Sequence, residues 1–255
     1  LQNNTFSPFF VGHNLVIIQQ VDSTNNYLKQ LLSNSTPLPE GTVIMAEAQI
    51  DGRGQQGKKW HADPGKNLTF SLLLNPLFLQ PIQQFLISQI VSLGLAEVLE
   101  KILDNKISIK WPNDIYYKNN KIAGILIENT IQGVQIKNSI IGIGLNVNQK
   151  VFPSTVPNPI SVSEILQRDY HLNALLSEIC SAIEVRYLQL RAGNTDFIQR
   201  EYLAKLYRKG EKHLYIAEGK KFEAEITGVD PNGCLIVKSE DVLKSYNLKE
   251  IAFII

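Results

Sequence analysis

Cysteine, methionine and tryptophan are scarce: two, one and two residues respectively in a chain of 255. Cys180 and Cys234 lie far apart, each among apolar residues, with no Cys or His neighbour at metal-ligand spacing. That spacing excludes a zinc ribbon or a disulfide framework, and both thiols are expected to be small buried hydrophobes in a reducing cytoplasm. Excess charge is missing too: 25 Lys and Arg face 24 Asp and Glu, a net charge of +1. A chain-wide basic field for gripping a nucleic-acid backbone is therefore absent, and no DNA partner is expected. No run approaches the roughly 18 consecutive apolar residues of a membrane span. The opening stretch Leu1–Thr5 lacks the positive flank and apolar core of a signal peptide. Repeats and low-complexity tracts are not found.

With 44% hydrophobic and 19% charged residues, the chain has the composition of a globular protein with a sizeable core. Leu15–Val21 reads as a strand, Asp22-Ser23-Thr24 as the cap of a following helix, and Thr42–Ala48 as a second strand. A polar, glycine-rich stretch from Gln49 to Lys66 follows, too long for a tight connection. Having little apolar area to offset its ordering entropy, it is expected to order on ligand binding. Asn67–Asn75 reads as a strand and Ile82–Leu103 as a long core helix. Then come strands at Ile107–Trp111, Ile122–Glu128 and Ile140–Val147, the first two forming a hairpin through Asn119-Asn120. After the proline-rich connector Phe152–Pro159, a capping box at Ser161–Glu164 opens a helical stretch. Helices are expected around Leu175–Leu190 and from Thr195. Beyond Lys212 only short strands are read, with Asp230-Pro231-Asn232-Gly233 a turn between two of them. A boundary near Gly210 divides the chain into residues 1–209 and a small β-barrel at 210–255.

Four segments carry candidate chemistry. Gly52-Arg53-Gly54-Gln55-Gln56-Gly57-Lys58-Lys59-Trp60 combines glycines, whose backbone N–H groups can approach a ligand, with cations that can neutralise phosphate or carboxylate oxygens. It lacks the ending of a Walker loop and the βαβ setting of a dinucleotide fingerprint, so alone it reads equally as an anion site or a surface connection. Lys110-Trp111-Pro112-Asn113-Asp114 ends a strand, where polar groups can converge on a ligand or simply make a β-turn. Lys121 heads Ile122-Ala123-Gly124-Ile125-Leu126-Ile127-Glu128, a position equally suited to a solvated edge charge. Gly142-Ile143-Gly144-Leu145-Asn146-Val147-Asn148 alternates glycine with apolar residues, which marks close approach of a ligand or tight strand packing.

Together with Ser23-Thr24-Asn25, and in this order, these segments resemble the biotin protein ligases over nearly the whole chain. The resemblance implies an α+β fold: a central mixed β-sheet flanked by helices, related to class II aminoacyl-tRNA synthetases, followed by a small C-terminal SH3-like β-barrel. It implies that biotin and ATP form biotinyl-5′-adenylate, with Mg²⁺, and that a lysine of a biotin carboxyl carrier protein then takes the biotinyl group. Arg53, Lys121, Lys110 and Asp114 are then the catalytic candidates. Ser23, Thr24, Asn25, Gln49, Gly52, Arg53, Gly54, Gln55, Lys121 and Gly124 would bind biotin. Arg53, Gln55, Lys58, Trp60, Lys110, Asn113 and Asn146 would face the nucleotide, with Trp60 on the adenine side or closing the loop. No protein metal ligand is assigned. Asp114 would also orient the attacking carrier lysine, which must be neutral to act as a nucleophile. Two alternatives stay open: a lipoate or octanoate ligase or transferase of the same fold, and an inactive biotin- or nucleotide-binding module. The resemblance also allows a homodimer through an edge of the central sheet.

Two departures stand out. With Ser23 this near Leu1, the DNA-binding winged helix that precedes this motif in bifunctional members is not expected. Where many members have Gly-Arg-Gly-Arg-Arg-Gly-Arg, this chain has Gln55, Gln56 and Lys58 at the later cation positions. Glutamine can donate a hydrogen bond to a phosphate but brings no charge, so the adenylate is expected to be held less tightly. Gln55→Arg should therefore lower release of the intermediate during turnover, measured as free adenylate; unchanged leakage would count against the idea.

Overall fold

The computed structural model describes residues 9–34, 37–104 and 107–255; the opening stretch Leu1–Thr5 lies outside them. The elements of the main body are β1 (Leu15–Val21), α1 (Thr24–Ser33), β2 (Val43–Gln49), β3 (Leu68–Leu74), α2 (Phe85–Ile102), β4 (Ile107–Lys110), β5 (Asp114–Tyr117), β6 (Asn120–Gln132), β7 (Gln135–Leu145), α3 (Val162–Leu166), α4 (Leu172–Arg191) and α5 (Thr195–Ala204). The chain continues with β8 (Lys212–Ala217), β9 (Lys220–Val229), β10 (Leu235–Ser239), β11 (Val242–Tyr246) and β12 (Ile251–Phe253). The central sheet runs β1-β2-β3-β7-β6-β5-β4 and the C-terminal sheet β11-β10-β9-β8-β12. Only the β1–β2 ladder is parallel, which makes the central sheet mixed and the fold α+β.

Both faces of the central sheet are covered, which is why β3 is buried at all seven positions. On one face Phe70, Leu72 and Leu74 join the large core that includes α2 and α4. On the other, Leu73 packs with Leu28 of α1, Ile44 and Ile140. β7 divides in the same way: Ile141, Ile143 and Leu145 enter the large core, while Ile140 lies beneath α1. By the two-residue period of a strand, Gly142 and Gly144 share the face of Ile140. Helix α1 reaches Gly142 with its first turn, through Asn25, and does not extend over Gly144, which leaves this part of the sheet without covering side chains of its own.

Three expectations need correction. Between the strands read at Ile107 and Ile122 lies a further strand, β5, which the polar Asp114 and the preceding proline concealed; Asn119 turns β5 into β6 rather than β4 into β6. Cys180 is buried but Cys234 is only half-buried. It follows directly on the Asp230–Gly233 turn, whose Asp230 carboxylate accepts from the N–H groups of Asn232 and Cys234 at 2.9 Å each. Finally, Pro81–Ile102 is by length and composition apolar enough to cross a membrane, at a mean hydropathy of 1.4, although polar residues interrupt the run. In this fold 72% of that window is buried, packed against α4, α5 and the sheet. It is the core helix of the main body.

The expected capping box holds: Ser161 accepts from the Glu164 N–H and the Glu164 carboxylate accepts from Ser161 N–H. The outer edge of β4 is closed by the chain leaving α5, where Ile109 N–H donates to Lys205 O at 2.8 Å and Tyr207 N–H to Ile109 O at 2.9 Å. That segment leads into the C-terminal sheet, whose Tyr215, Ile226, Leu235, Val237 and Ile251 share one continuous core with Trp111 and Leu206. Trp111 ties the two sheets directly, its Nε1–H donating to Gly233 O at 2.8 Å.

Candidate active site

The bare part of the α1 face becomes the floor of a cleft of about 1010 Å³. A Cβ on Gly142 would lie 2.4 Å from Asn25 Oδ1, and one on Gly144 would lie 2.2 Å from the Trp60 ring. The glycine alternation of β7 is therefore required by close approach of side chains over the sheet. Gly124, paired with Gly144 across β6 and β7, extends the floor. Of the sixteen residues expected at the site, all but Gly52 line the cleft. Gly52 is buried just behind it, where a Cβ would strike Trp60 O at 2.4 Å.

At one end the cleft is polar and nearly uncharged. Ser23 begins α1 in an extended conformation but makes no side-chain cap bond. Gln49, at the end of β2, caps the helix in its place, with Oε1 accepting from Thr24 N–H at 2.8 Å and Thr24 Oγ1–H at 3.1 Å. Ser71 of β3, fully buried, donates to Asn25 Oδ1 at 2.6 Å and lies 2.7 Å from Thr24 Oγ1. These groups present both donors and acceptors around the start of one helix, on a rigid sheet.

The other end is cationic. Arg53, Lys58, Lys59, Lys110, Lys121 and Lys249 line the cleft; among the described residues Asp114 is the one Asp or Glu that lines it with them, while Glu128 and Asp51 bind Arg53 and Lys59 from beside it. Lys121 Nζ lies 2.7 Å from Asp114 Oδ1. Arg53 donates to Glu128 Oε1 at 3.0 Å and to Asn26 Oδ1. Lys110 is enclosed by two rings, its Nζ 4.4 Å from the centre of Phe253 and 5.6 Å from that of Tyr116. Burial pushes its ammonium pKa below the usual lysine value; Asp114 opposes the shift, and Lys121, Lys58 and Arg208 reinforce it.

The loop between β2 and β3 folds back as a small hairpin. Gly54 N–H donates to Lys58 O at 2.7 Å and Trp60 N–H to Gly52 O at 2.8 Å, with Gln55 opening the intervening turn. Trp60 is thereby laid over Gly144 and Gly124, with Lys121 Nζ 5.8 Å from its ring centre. Its buried Nε1–H has no acceptor among the described residues. Asn113 and Asn146 line the cleft, but both amides bond the backbone: Asn113 donates to Ile125 O and Asn146 to Ile160 O at 3.1 Å. They shape the wall.

Known proteins agree with this geometry. A model of the Biotin/lipoate A/B protein ligase family matches residues 17–146, just over half the chain. The bifunctional ligase/repressor BirA of Escherichia coli is 30% identical over 247 residues, covering 94% of this chain and 74% of that protein. The chain belongs to the biotin/lipoate A/B protein ligase family. BirA of Bacillus subtilis is 26% identical over 240 residues. The solved biotin protein ligase of Aquifex aeolicus in complex with biotin and ATP superposes with a TM-score of 0.79 at 27% identity, covering 94% of this chain and 98% of that one. Within the family the likeness is to biotin protein ligases, and the activity of the chain is biotin–protein ligation.

Several lining or supporting residues carry no signal in the sequence. Ser71 lies in an apolar strand and belongs to no motif. The connector Phe152–Pro159 forms a wall because Lys121 N–H donates to Asn158 O at 2.7 Å and Ile160 N–H to Lys121 O at 3.0 Å. Leu248–Phe253 reach the cleft from the C-terminal sheet, a juxtaposition that no local pattern encodes. The ligase floor has a direct test. Gly144→Ala should expel the Trp60 indole, so that tryptophan emission shifts to the red and becomes more accessible to acrylamide. Gly124→Ala, whose Cβ would meet the ring at 3.4 Å and the movable end of Lys121 at 3.2 Å, should shift emission far less. Equal spectra for both variants would contradict the placement of Trp60.

Proposed function

We propose that the polar end of the cleft reads the ureido ring of biotin and that the cationic end joins its carboxylate to ATP. The observation that carries this reading is the juxtaposition over one glycine floor of Ser23, Thr24, Asn25 and Gln49, with Ser71 fixing Asn25 from beneath, and of Arg53, Lys110 and Lys121. A ureido group needs donors and acceptors together, which the first set supplies. A carboxylate and an α-phosphate repel one another as they meet, and the second set offsets that repulsion. A carboxylate oxygen of biotin attacks the α-phosphorus, pyrophosphate leaves, and biotinyl-5′-adenylate forms. The neutral amine of a lysine on a biotin carboxyl carrier protein then attacks the acyl carbon, and AMP leaves.

Arg53 and Lys121 hold the carboxylate and α-phosphate in this scheme, and Lys110, Lys58 and Gln55 face the nucleotide. Magnesium binds through one or two carboxylates plus substrate phosphates; Asp114 suits that part, and no cluster of three or more His, Cys, Asp or Glu exists among the described residues. Free thiols at Cys180 and Cys234 agree with a reducing cytoplasm. A lipoyl or octanoyl acid brings no group that needs the polar end.

ATP–pyrophosphate exchange separates the acids. Biotin should support exchange, and lipoate and octanoate should not; active protein with magnesium and no biotin-dependent exchange overturns the assignment. Transfer is tested separately, because Asp114 is bound to Lys121 and its loss also disturbs activation. Supplied with preformed adenylate, Asp114→Asn should transfer to the carrier about tenfold more slowly or worse. An unchanged transfer rate removes Asp114 from that step.

A further inference from the structure

The two ends of the cleft are joined by one continuous chain of hydrogen bonds. It runs from Gln49 to Thr24, on to Ser71 and Asn25, and from Asn25 Nδ2–H to Glu128 Oε2 at 2.8 Å. Glu128 completes it with Arg53: Nη2 donates to Oε1 at 3.0 Å and Nη1 approaches Oε2 at 3.4 Å. One carboxylate thus takes a two-pronged hold on the guanidinium and also accepts from the amide at the start of α1. It stands on β6, where it pairs with Ile140 of the long β6–β7 ladder, on the same face as Gly124.

We propose that Glu128 is a positioning residue for biotin: it presets Arg53 for the carboxylate while fixing Asn25 at the ureido end. This rests on the functional reading above. Left to itself, an arginine in a glycine-rich loop with 39% of its side chain exposed would sample many rotamers. The planar fork on a rigid strand removes that freedom before the ligand arrives. Glu128 also carries a negative charge, which opposes an incoming anion. The lining cations outnumber the carboxylate that shares the cleft with them, so the preset geometry outweighs the repulsion. The coupling of Asn25 to Arg53 through a single carboxylate makes recognition of the ring and capture of the carboxylate one event.

The test is a double-mutant cycle in equilibrium biotin binding, read by calorimetry on the full chain. Glu128→Gln keeps an acceptor for Asn25 but cannot form the charged fork. It should weaken biotin binding about tenfold and raise KM for biotin in pyrophosphate exchange by a similar factor, a larger change than in KM for ATP. In an Arg53→Met background the same substitution should change biotin affinity less than about twofold. A general structural loss would weaken binding equally in both backgrounds and overturn the proposal. So would unchanged or tighter binding in Glu128→Gln, which would make Glu128 a bystander or a competitor of the substrate. If the parent protein binds biotin and supports exchange, these results bear on Glu128 alone; if it does neither, the functional reading itself fails.

Discussion

Two cations of the cleft, Arg53 and Lys121, are held in place by ion pairs to carboxylates of the sheet. Arg53 rests on Glu128 and Lys121 on Asp114. Lys121 and Glu128 both belong to β6, and Asp114 faces Gly124 across the β5–β6 ladder. A slip of one residue in that ladder would send these side chains to the opposite face. The registers of β5, β6 and β7 are therefore constraints on charge placement as much as on packing. The buried β7 side chains Ile141, Ile143 and Leu145 fix the register from beneath.

The cleft itself is a consequence of incomplete coverage. A ten-residue α1 buries Leu28 against Leu73 and Ile140, and its first turn ends over Gly142. Beyond it the sheet has glycine where a longer helix would have needed apolar side chains. The start of α1 is therefore both a helix end, with backbone donors to satisfy, and the rim of a site. Gln49 satisfies one of those donors at 2.8 Å, which leaves Ser23 uncommitted to capping. The atoms that cap the helix are thus the same ones that line the cleft.

Much of this was legible in the chain. Strand and helix periods located β1, β2, β3, α2, α4 and the short C-terminal strands, because each buries one face or both and shows it in its apolar spacing. Polar strings between those elements marked the site, since polar residues at strand ends have no packing role to mask them. What stayed hidden depended on distance in sequence. β5 begins on Asp114 and is short, so its membership in the sheet is dictated by its neighbours. Ser71 resembles any small residue in a buried strand, and its role exists only because Asn25 crosses over it. Phe253 joins Lys110 through the docking of one sheet on another. Cys234 was misplaced because apolar neighbours in sequence do not show that a turn has carried the residue outward.

The contrast between the cleft and the whole chain has a further consequence. Six lysines and arginines line the cleft beside one carboxylate, while the chain as a whole carries +1; the remainder is therefore net negative. Such a molecule has a directional field even though its total charge is almost nil. Walls that exclude water concentrate field lines at the mouth of a like-signed cleft. A small anion is drawn toward that opening by the cations left unpaired there, and added salt weakens this guidance at long range first. The near balance of acidic and basic residues thus describes an uneven, oriented distribution of charge.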